Sequence, residues 1–290
     1  MTENHPNSGR KSTLYGGVAT TTTAAGWRRR DDLRQSEQAA RVRSWRQERW
    51  YSVKDRPLRA VVAGVGRAGV PAVVIVPGLG AVRYLSEAVE ATGAWTQCVL
   101  LDVPGFGYGG PKTCEPTVQA VAATVAAWLV DHRPGPVVLA GHSTGGQAVL
   151  RVAAELPGQI RGLVLAGPTF APQARRLAGL VRAWARTSRH EPGSGLWAAL
   201  PDYRRGGLRR LIRYVRSGLA DRPENLVGSV SCPILLARGE HDHFAAADWV
   251  DRLAATAPRG QAVTVPGAHA FPYSHPRRFA QLLAQAAQLD

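Results

Sequence analysis

Beyond Trp50, short runs rich in apolar and β-branched residues alternate with longer stretches of helical character, and this alternation narrows the possible folds most. Residues 72–76, 97–103, 136–140, 160–166, 233–237 and 262–265 are such runs, each of strand length. Near-continuous apolar runs suit strands buried on both faces. Residues 84–92, 116–132, 145–155, 245–256 and 276–288 between them read as helices. Residues 50–53 and 58–63 read as an opening pair of strands. The expected product is an α/β fold, a mostly parallel sheet flanked by helices. No repeat of fixed period is present.

One segment breaks the alternation. Residues 170–230 hold no buried-strand run, are rich in Arg, and contain Trp184, Trp197, Tyr203 and Tyr214. They read as a helical insertion between two strands, of the kind that often covers a site at the carboxyl edge of such a sheet. At the other end, residues 1–49 read as a polar, Arg-rich extension. The first part is too poor in apolar groups to order itself, and residues 27–49 are either a charged helix or a solvated tail. The main domain is expected over residues 50–290.

Composition sets further bounds. A chain of 290 residues with 45% hydrophobic residues can build one sizeable core. The longest apolar block, residues 118–130, is too short to span a bilayer, and residues 1–10 lack the apolar stretch of a secretory signal. Cys98, Cys114 and Cys232 have no metal-like spacing and read as small buried residues of a reducing compartment. A cytoplasmic protein without a membrane partner is expected. The formal charge of +15 favours anionic partners at long range. Its cations are nearly all Arg, with only Lys11, Lys54 and Lys112 as lysines, which looks like the coding bias of a GC-rich bacterial genome. A nucleic-acid partner is therefore not expected from charge alone.

The chemistry concentrates where the run at 136–140 meets Gly141-His-Ser-Thr-Gly-Gly146 and then the apolar helix face that follows. Gly-x-Ser-x-Gly between a strand and a helix has a mechanical meaning. The turn is sharp, Gly141 and Gly145 remove side chains that would collide with backbone, and Ser143 stands at a helix N-terminus. On this string, the chain from about residue 50 to 290 resembles the α/β-hydrolase superfamily. The Gly141–Gly146 string is similar to that of serine esterases and the cofactor-free peroxidase (arylesterase) branch.

The resemblance implies further positions. Residues 73–80, Val-Val-Ile-Val-Pro-Gly-Leu-Gly, match the loop that supplies one oxyanion donor, here the N–H of Leu79, with the N–H of Thr144 as its partner. Residues 101–109 resemble the Asp-x-Pro-Gly-x-Gly loop, in which Asp102 is structural. Gly239-Glu-His-Asp242 matches the loop that carries the triad acid, giving Asp242 over Glu240 and Asp248. Residues 262–269 end on His269 as the base, with His275 read as a helix cap and His142 as filler within the elbow. The implied activity is cleavage of a carboxylic ester or lactone by a Ser143–His269–Asp242 triad through an acyl-enzyme. It needs no metal or other cofactor, and its partner is a small acyl substrate.

Other acyl transfers on the same triad remain open: thioesterase, amidase, acyltransferase or perhydrolase. So does a non-catalytic ligand-binding role. Phe170, Trp184, Trp197 and Tyr214 are candidates to line the substrate pocket, against the alternative that they hold the insertion to the body. Oligomeric state is not legible.

Overall fold

Residues 46–133 and 135–288 are described in the computed structural model of the protein. The expected extension therefore lies, up to residue 45, outside the described residues. The first strand starts at Gln47, slightly ahead of its expected position.

Eight strands form one sheet in the order β1-β2-β4-β3-β5-β6-β7-β8. They are β1 (Gln47–Val53), β2 (Arg56–Ala63), β3 (Val73–Val76), β4 (Cys98–Leu101), β5 (Val137–His142), β6 (Ile160–Ala166), β7 (Ile234–Gly239) and β8 (Gly260–Val265). β1 and β2 are an antiparallel hairpin, and β2 also runs antiparallel to β4. From β4 to β8 every pairing is parallel. The hairpin closes on Lys54 and Asp55, with φ of 49° and 60°, the double left-handed turn whose twist matches that of the strands.

The helices are α1 (Ser86–Gly93), α2 (Val118–His132), α3 (Thr144–Glu155), α4 (Leu177–Thr187), α5 (Gly193–Gly206), α6 (Leu208–Ala220), α7 (Ala247–Thr256), α8 (Phe271–Ser274) and α9 (Pro276–Gln288). None of the described helices is long and apolar enough to cross a membrane. Residues 170–230 form the expected insertion of α4, α5 and α6 between β6 and β7.

Successive residues of a strand point to opposite faces, so the buried strands divide between two cores. Val74, Val76, Leu139, Leu163 and Leu165 pack on one side with α2, α3 and α7. Val73, Ile75, Val138, Ala140 and Val164 pack on the other with α1 and α9. This double coverage is why the central strands read as continuous apolar runs.

The chain leaves β3 toward β4 on one side and returns to β5 on the other. The carboxyl ends of β3 and β5 thus meet where the winding reverses, the usual place for a binding crevice in open α/β sheets. Asp102, just beyond β4, is fully buried. Its carboxylate accepts from Arg59 Nε at 2.9 Å and from Gly107 N–H at 3.0 Å, so it braces that loop.

Candidate active site

Ser143 lies between β5 and α3 with φ 56° and ψ −124°. A β-carbon-bearing residue with positive φ is strained by roughly 1–3 kcal/mol, so the surroundings must enforce it. They do so by close packing. A Cβ on Gly145 would collide with the carbonyl oxygens of Val76 and Pro77, and one on Gly141 with the Gly145 carbonyl. The Ser143 N–H is tied to the Ala166 carbonyl at 2.9 Å, and the Ser143 carbonyl accepts from Gly146 N–H at 2.9 Å. The side chain is mostly covered, at 7% exposure, and stands at the positive end of the α3 dipole.

Asp242 is fully buried in the loop after β7. Its Oδ1 accepts from the N–H groups of Phe244 at 2.9 Å and Ala245 at 3.0 Å. Its Oδ2 faces His269 Nδ1 at 2.8 Å. Burial alone would raise its pKa, but the His269 charge and these hydrogen bonds outweigh that and hold it below the usual value. His269 follows β8. Burial pulls its pKa down, and the charge and hydrogen bond of Asp242, with the charge of Glu191, more than reverse this and raise it above 6.5. A carboxylate can only accept, so His269 Nδ1 carries the proton and Nε2 is left as the basic nitrogen. Among the described residues no hydrogen bond joins Nε2 to Ser143. The His269 ring instead lies 4.9 Å from that of His142, the residue preceding Ser143, and 5.0 Å from that of Phe244.

His142 does more than fill the elbow. It is buried and its pKa is pushed down to about 3, by burial first and then by the nearby His269. The neutral ring has one donor and one acceptor. Nε2 lies 2.9 Å from the His269 carbonyl oxygen, so Nε2–H donates there. Nδ1 therefore accepts from the Tyr84 hydroxyl at 2.7 Å, and that hydroxyl accepts from Gly78 N–H at 3.0 Å. One chain of hydrogen bonds thus staples the loop after β3, the start of α1, the elbow and the loop after β8.

The loop after β3 reaches the elbow at a second point. Leu79, with φ 46° and ψ 25°, donates its N–H to Thr144 Oγ1 at 2.8 Å. The two residues expected to provide oxyanion donors therefore meet, but the Leu79 N–H is occupied by the Thr144 hydroxyl. Of the four aromatic candidates, Tyr214 and Phe170 are buried beside Thr144. A Cβ on Gly218 of α6 would stand 2.9 Å from Thr144 Cγ2 and 3.2 Å from Phe170 Cε2. Burial raises the Tyr214 pKa against a weaker, opposing influence of the Thr144 side chain. Trp184 and Trp197 are 62% and 71% exposed and stand on the surface.

Three residues that hold this site are missing from the sequence-based set. Arg238 of β7 donates to the carbonyls of Ala245, Glu240 and Asp242, at 2.9, 3.1 and 3.1 Å, and so braces the acid's loop on both sides. Tyr84 is the middle of the hydrogen-bond chain. Glu191, between α4 and α5, accepts from Ala270 N–H at 2.7 Å, directly after His269. Its other oxygen is buried without a partner among the described residues, and burial raises its pKa.

The insertion is pinned to the body at other points as well. Asp202 of α5 accepts from Val82 N–H at 2.8 Å, Gly218 accepts from the Gln147 side chain at 2.9 Å, and Thr187 of α4 accepts from His243 N–H at 3.1 Å. Of the rejected candidates, Glu240 is exposed and lies 3.7 Å from the His241 ring, and Asp248 is an exposed partner of Arg252. His275 accepts from Phe279 N–H through its carbonyl at the start of α9.

Tyr84→Phe should leave Gly78 N–H and His142 Nδ1 unpaired in a buried place. A loss of about 1–3 kcal/mol in unfolding free energy is expected, read by denaturant titration, because stranded buried polar groups carry that penalty.

Comparison with known proteins agrees with this architecture. A profile of the alpha/beta hydrolase family matches residues 73–282. A stretch of 102 residues is 34% identical to lipase LipV of Mycobacterium tuberculosis, covering 32% of this chain and only 39% of that lipase. Among solved structures, a bacterial membrane phospholipase A superposes with a TM-score of 0.66 at 18% identity, over 91% of this chain and 95% of that one. An esterase of Thermogutta terrifontis gives 0.62 at 20% identity, over 82% and 97% of the two chains. The enol-lactonase of Burkholderia xenovorans LB400 gives 0.64 at 17% identity, over 82% and 98%. At such identities the structural likeness speaks for the fold, while the profile spans well over half of the sequence: this chain belongs to the alpha/beta hydrolase family.

Proposed function

We propose that the protein is a serine hydrolase that cleaves a carboxylic ester or lactone, with Ser143 as nucleophile, His269 as base and Asp242 as the acid that orients it. The observation that carries this reading is the pairing of fully buried Asp242 with His269 Nδ1, the His269 ring lying 4.9 Å from that of His142, the residue before the strained Ser143. That the family includes esterases, lipases and lactonases supports the substrate class.

In this mechanism the Ser143 oxygen forms a bond to the acyl carbon as its proton passes to His269 Nε2. Asp242 stabilises the resulting imidazolium. The proton then goes to the departing alcohol oxygen as its bond to the acyl carbon breaks, and water, activated by the same ring, releases the acid. Contacts between nucleophile and base in such sites often tighten only when substrate binds. The oxyanion would be held by the N–H groups of Leu79 and Thr144, each donor contributing about 3–4 kcal/mol. For Leu79 to take part, the Thr144 hydroxyl must turn away and surrender that N–H to the substrate oxygen.

Of the four aromatic candidates, Phe170 and Tyr214, both buried near Thr144, are the two that would meet the acyl group. The insertion would act as a lid. The unpaired thiols of Cys98, Cys114 and Cys232 accord with a reducing, cytoplasmic setting. A second reading, acyl transfer to an acceptor other than water, uses the same residues.

Steady-state assays on esters, lactones and thioesters of graded size test the proposal. Ester or lactone turnover should fall by on the order of 10⁴ or more in Ser143→Ala, with the fold intact by circular dichroism. Undiminished turnover would reassign the nucleophile.

The pH profile adds a second check. His269 must be neutral to accept the serine proton, so kcat/KM should be lost as pH falls through a pKa above 6.5. The groups that face this ring are Asp242, Glu191 and neutral His142. Glu191→Gln keeps an acceptor for Ala270 N–H but removes a negative charge that raises the His269 pKa. The acid limb of kcat/KM should therefore move to lower pH. An unmoved limb would show that Glu191 serves only to pin the loop.

A further inference from the structure

We propose that the outer face of the insertion is a docking surface for an anionic phospholipid bilayer. The sequence between residues 171 and 220 holds 11 Arg, and Glu191 and Asp202 are its only acids. Both acids are used internally, Glu191 on Ala270 N–H and Asp202 on Val82 N–H. The exposed Arg176, Arg182, Arg186, Arg189, Arg209 and Arg216 have no carboxylate within ion-pair distance among the described residues. The face thus keeps most of its positive charge for an outside partner.

The same helices also expose apolar stripes. On α4, Leu177, Val181 and Trp184 recur at i, i+4 and i+7, 77%, 53% and 62% exposed. The inward side of that helix is a different one, carrying Ala183 and Thr187. On α6, Leu208 and Ile212 begin a stripe of the same spacing, continued by half-buried Val215, while Tyr214 and Gly218 face inward. On α5, between them in the sequence, Trp197 is 71% exposed. Each of α4 and α6 therefore has three sides: one packed on the body, one apolar and exposed, and one lined with Arg. Exposed apolar surface of this extent calls for a partner.

The two exposed sides together identify the chemistry of that partner. A bilayer surface offers acyl chains to Leu, Val and Ile, an interfacial zone that favours Trp, and lipid phosphates to Arg. A nucleic acid would meet the Arg and stack on Trp but leave the aliphatic stripes in water. A second copy docked face to face would oppose Arg with Arg. That no described helix can span a membrane does not bear on this, because adsorption needs only a surface. The inward sides of these helices touch Thr144 and the His243 backbone, so a bilayer on the outer side would lie next to the loop edge that carries Ser143.

Vesicle co-sedimentation of the full chain tests this without any catalytic readout. Phosphatidylcholine vesicles containing phosphatidylglycerol should bind at least about tenfold more protein than vesicles of phosphatidylcholine alone, and added salt should weaken the binding. The double variant Leu177→Asp/Leu208→Asp, at two exposed positions, should lose most of this binding while hydrolysing a short water-soluble ester as before. Should that variant melt early, Arg182→Gln/Arg209→Gln should weaken binding and flatten its salt dependence. Equal binding to both vesicle types overturns the proposal, as does undiminished binding by the variants. So does protein that ignores vesicles and instead forms a dimer that Leu177→Asp/Leu208→Asp abolishes.

Discussion

The site depends on one local constraint, the left-handed backbone forced on Ser143 between β5 and α3. A turn this tight fans three consecutive side chains out to three different places. His142 reaches the Tyr84 hydroxyl and the His269 carbonyl, Thr144 meets the Leu79 N–H, and Ser143 stands between them at the head of α3. The neighbouring loops are thus hydrogen-bonded to the elbow itself. Backbone strain at Ser143 persists because Gly141 and Gly145 let the surrounding backbone close in on it. The arrangement is rigid for a reason that no single contact supplies.

The charges follow the same logic. Asp242 is fully buried and would resist ionisation were it alone. Two backbone N–H groups and the His269 ring satisfy it, and Arg238 fixes the backbone on either side. Glu191 brings a second carboxylate to the base's loop from the insertion. The insertion is therefore tied directly to the loop that carries His269. It contributes a carboxylate beside His269, Asp202 at the loop after β3 and Gly218 at the elbow. Its outward sides, apolar and Arg-rich, are what remains for contacts beyond the chain.

Most of the sheet was legible because its signals are local. Strands buried on both faces appear as continuous apolar runs, and all six expected strands lie where those runs occur, within a few residues at their ends, but β8, at the sheet edge, is mostly exposed or half-buried and not covered on both faces. The elbow was legible through glycine spacing, which records where backbone must pass close to backbone, and the loops carrying Leu79, Asp242 and His269 only through resemblance to a family. What was not legible depends on distant partners. Nothing near Tyr84 announces a bond to His142, 58 residues away. Two weaker signals were present. Arg238 is a lone charge in an apolar strand, and Glu191 is one of two acids in an Arg-rich segment. Trp184 and Trp197 mislead in the opposite sense, because aromatic residues suggest a pocket equally well when they face solvent. The engagement of the Leu79 N–H by the Thr144 hydroxyl was also beyond reach, since it depends on a side-chain rotamer.

The central claim is that Ser143 is activated by His269 held on Asp242. Covalent labelling with a fluorophosphonate, followed by peptide mass mapping, tests it most directly. The account predicts a single adduct on Ser143 in the folded protein, with labelling slowed by orders of magnitude in His269→Ala. An adduct elsewhere, no adduct at all, or labelling of Ser143 indifferent to the loss of His269 would contradict it.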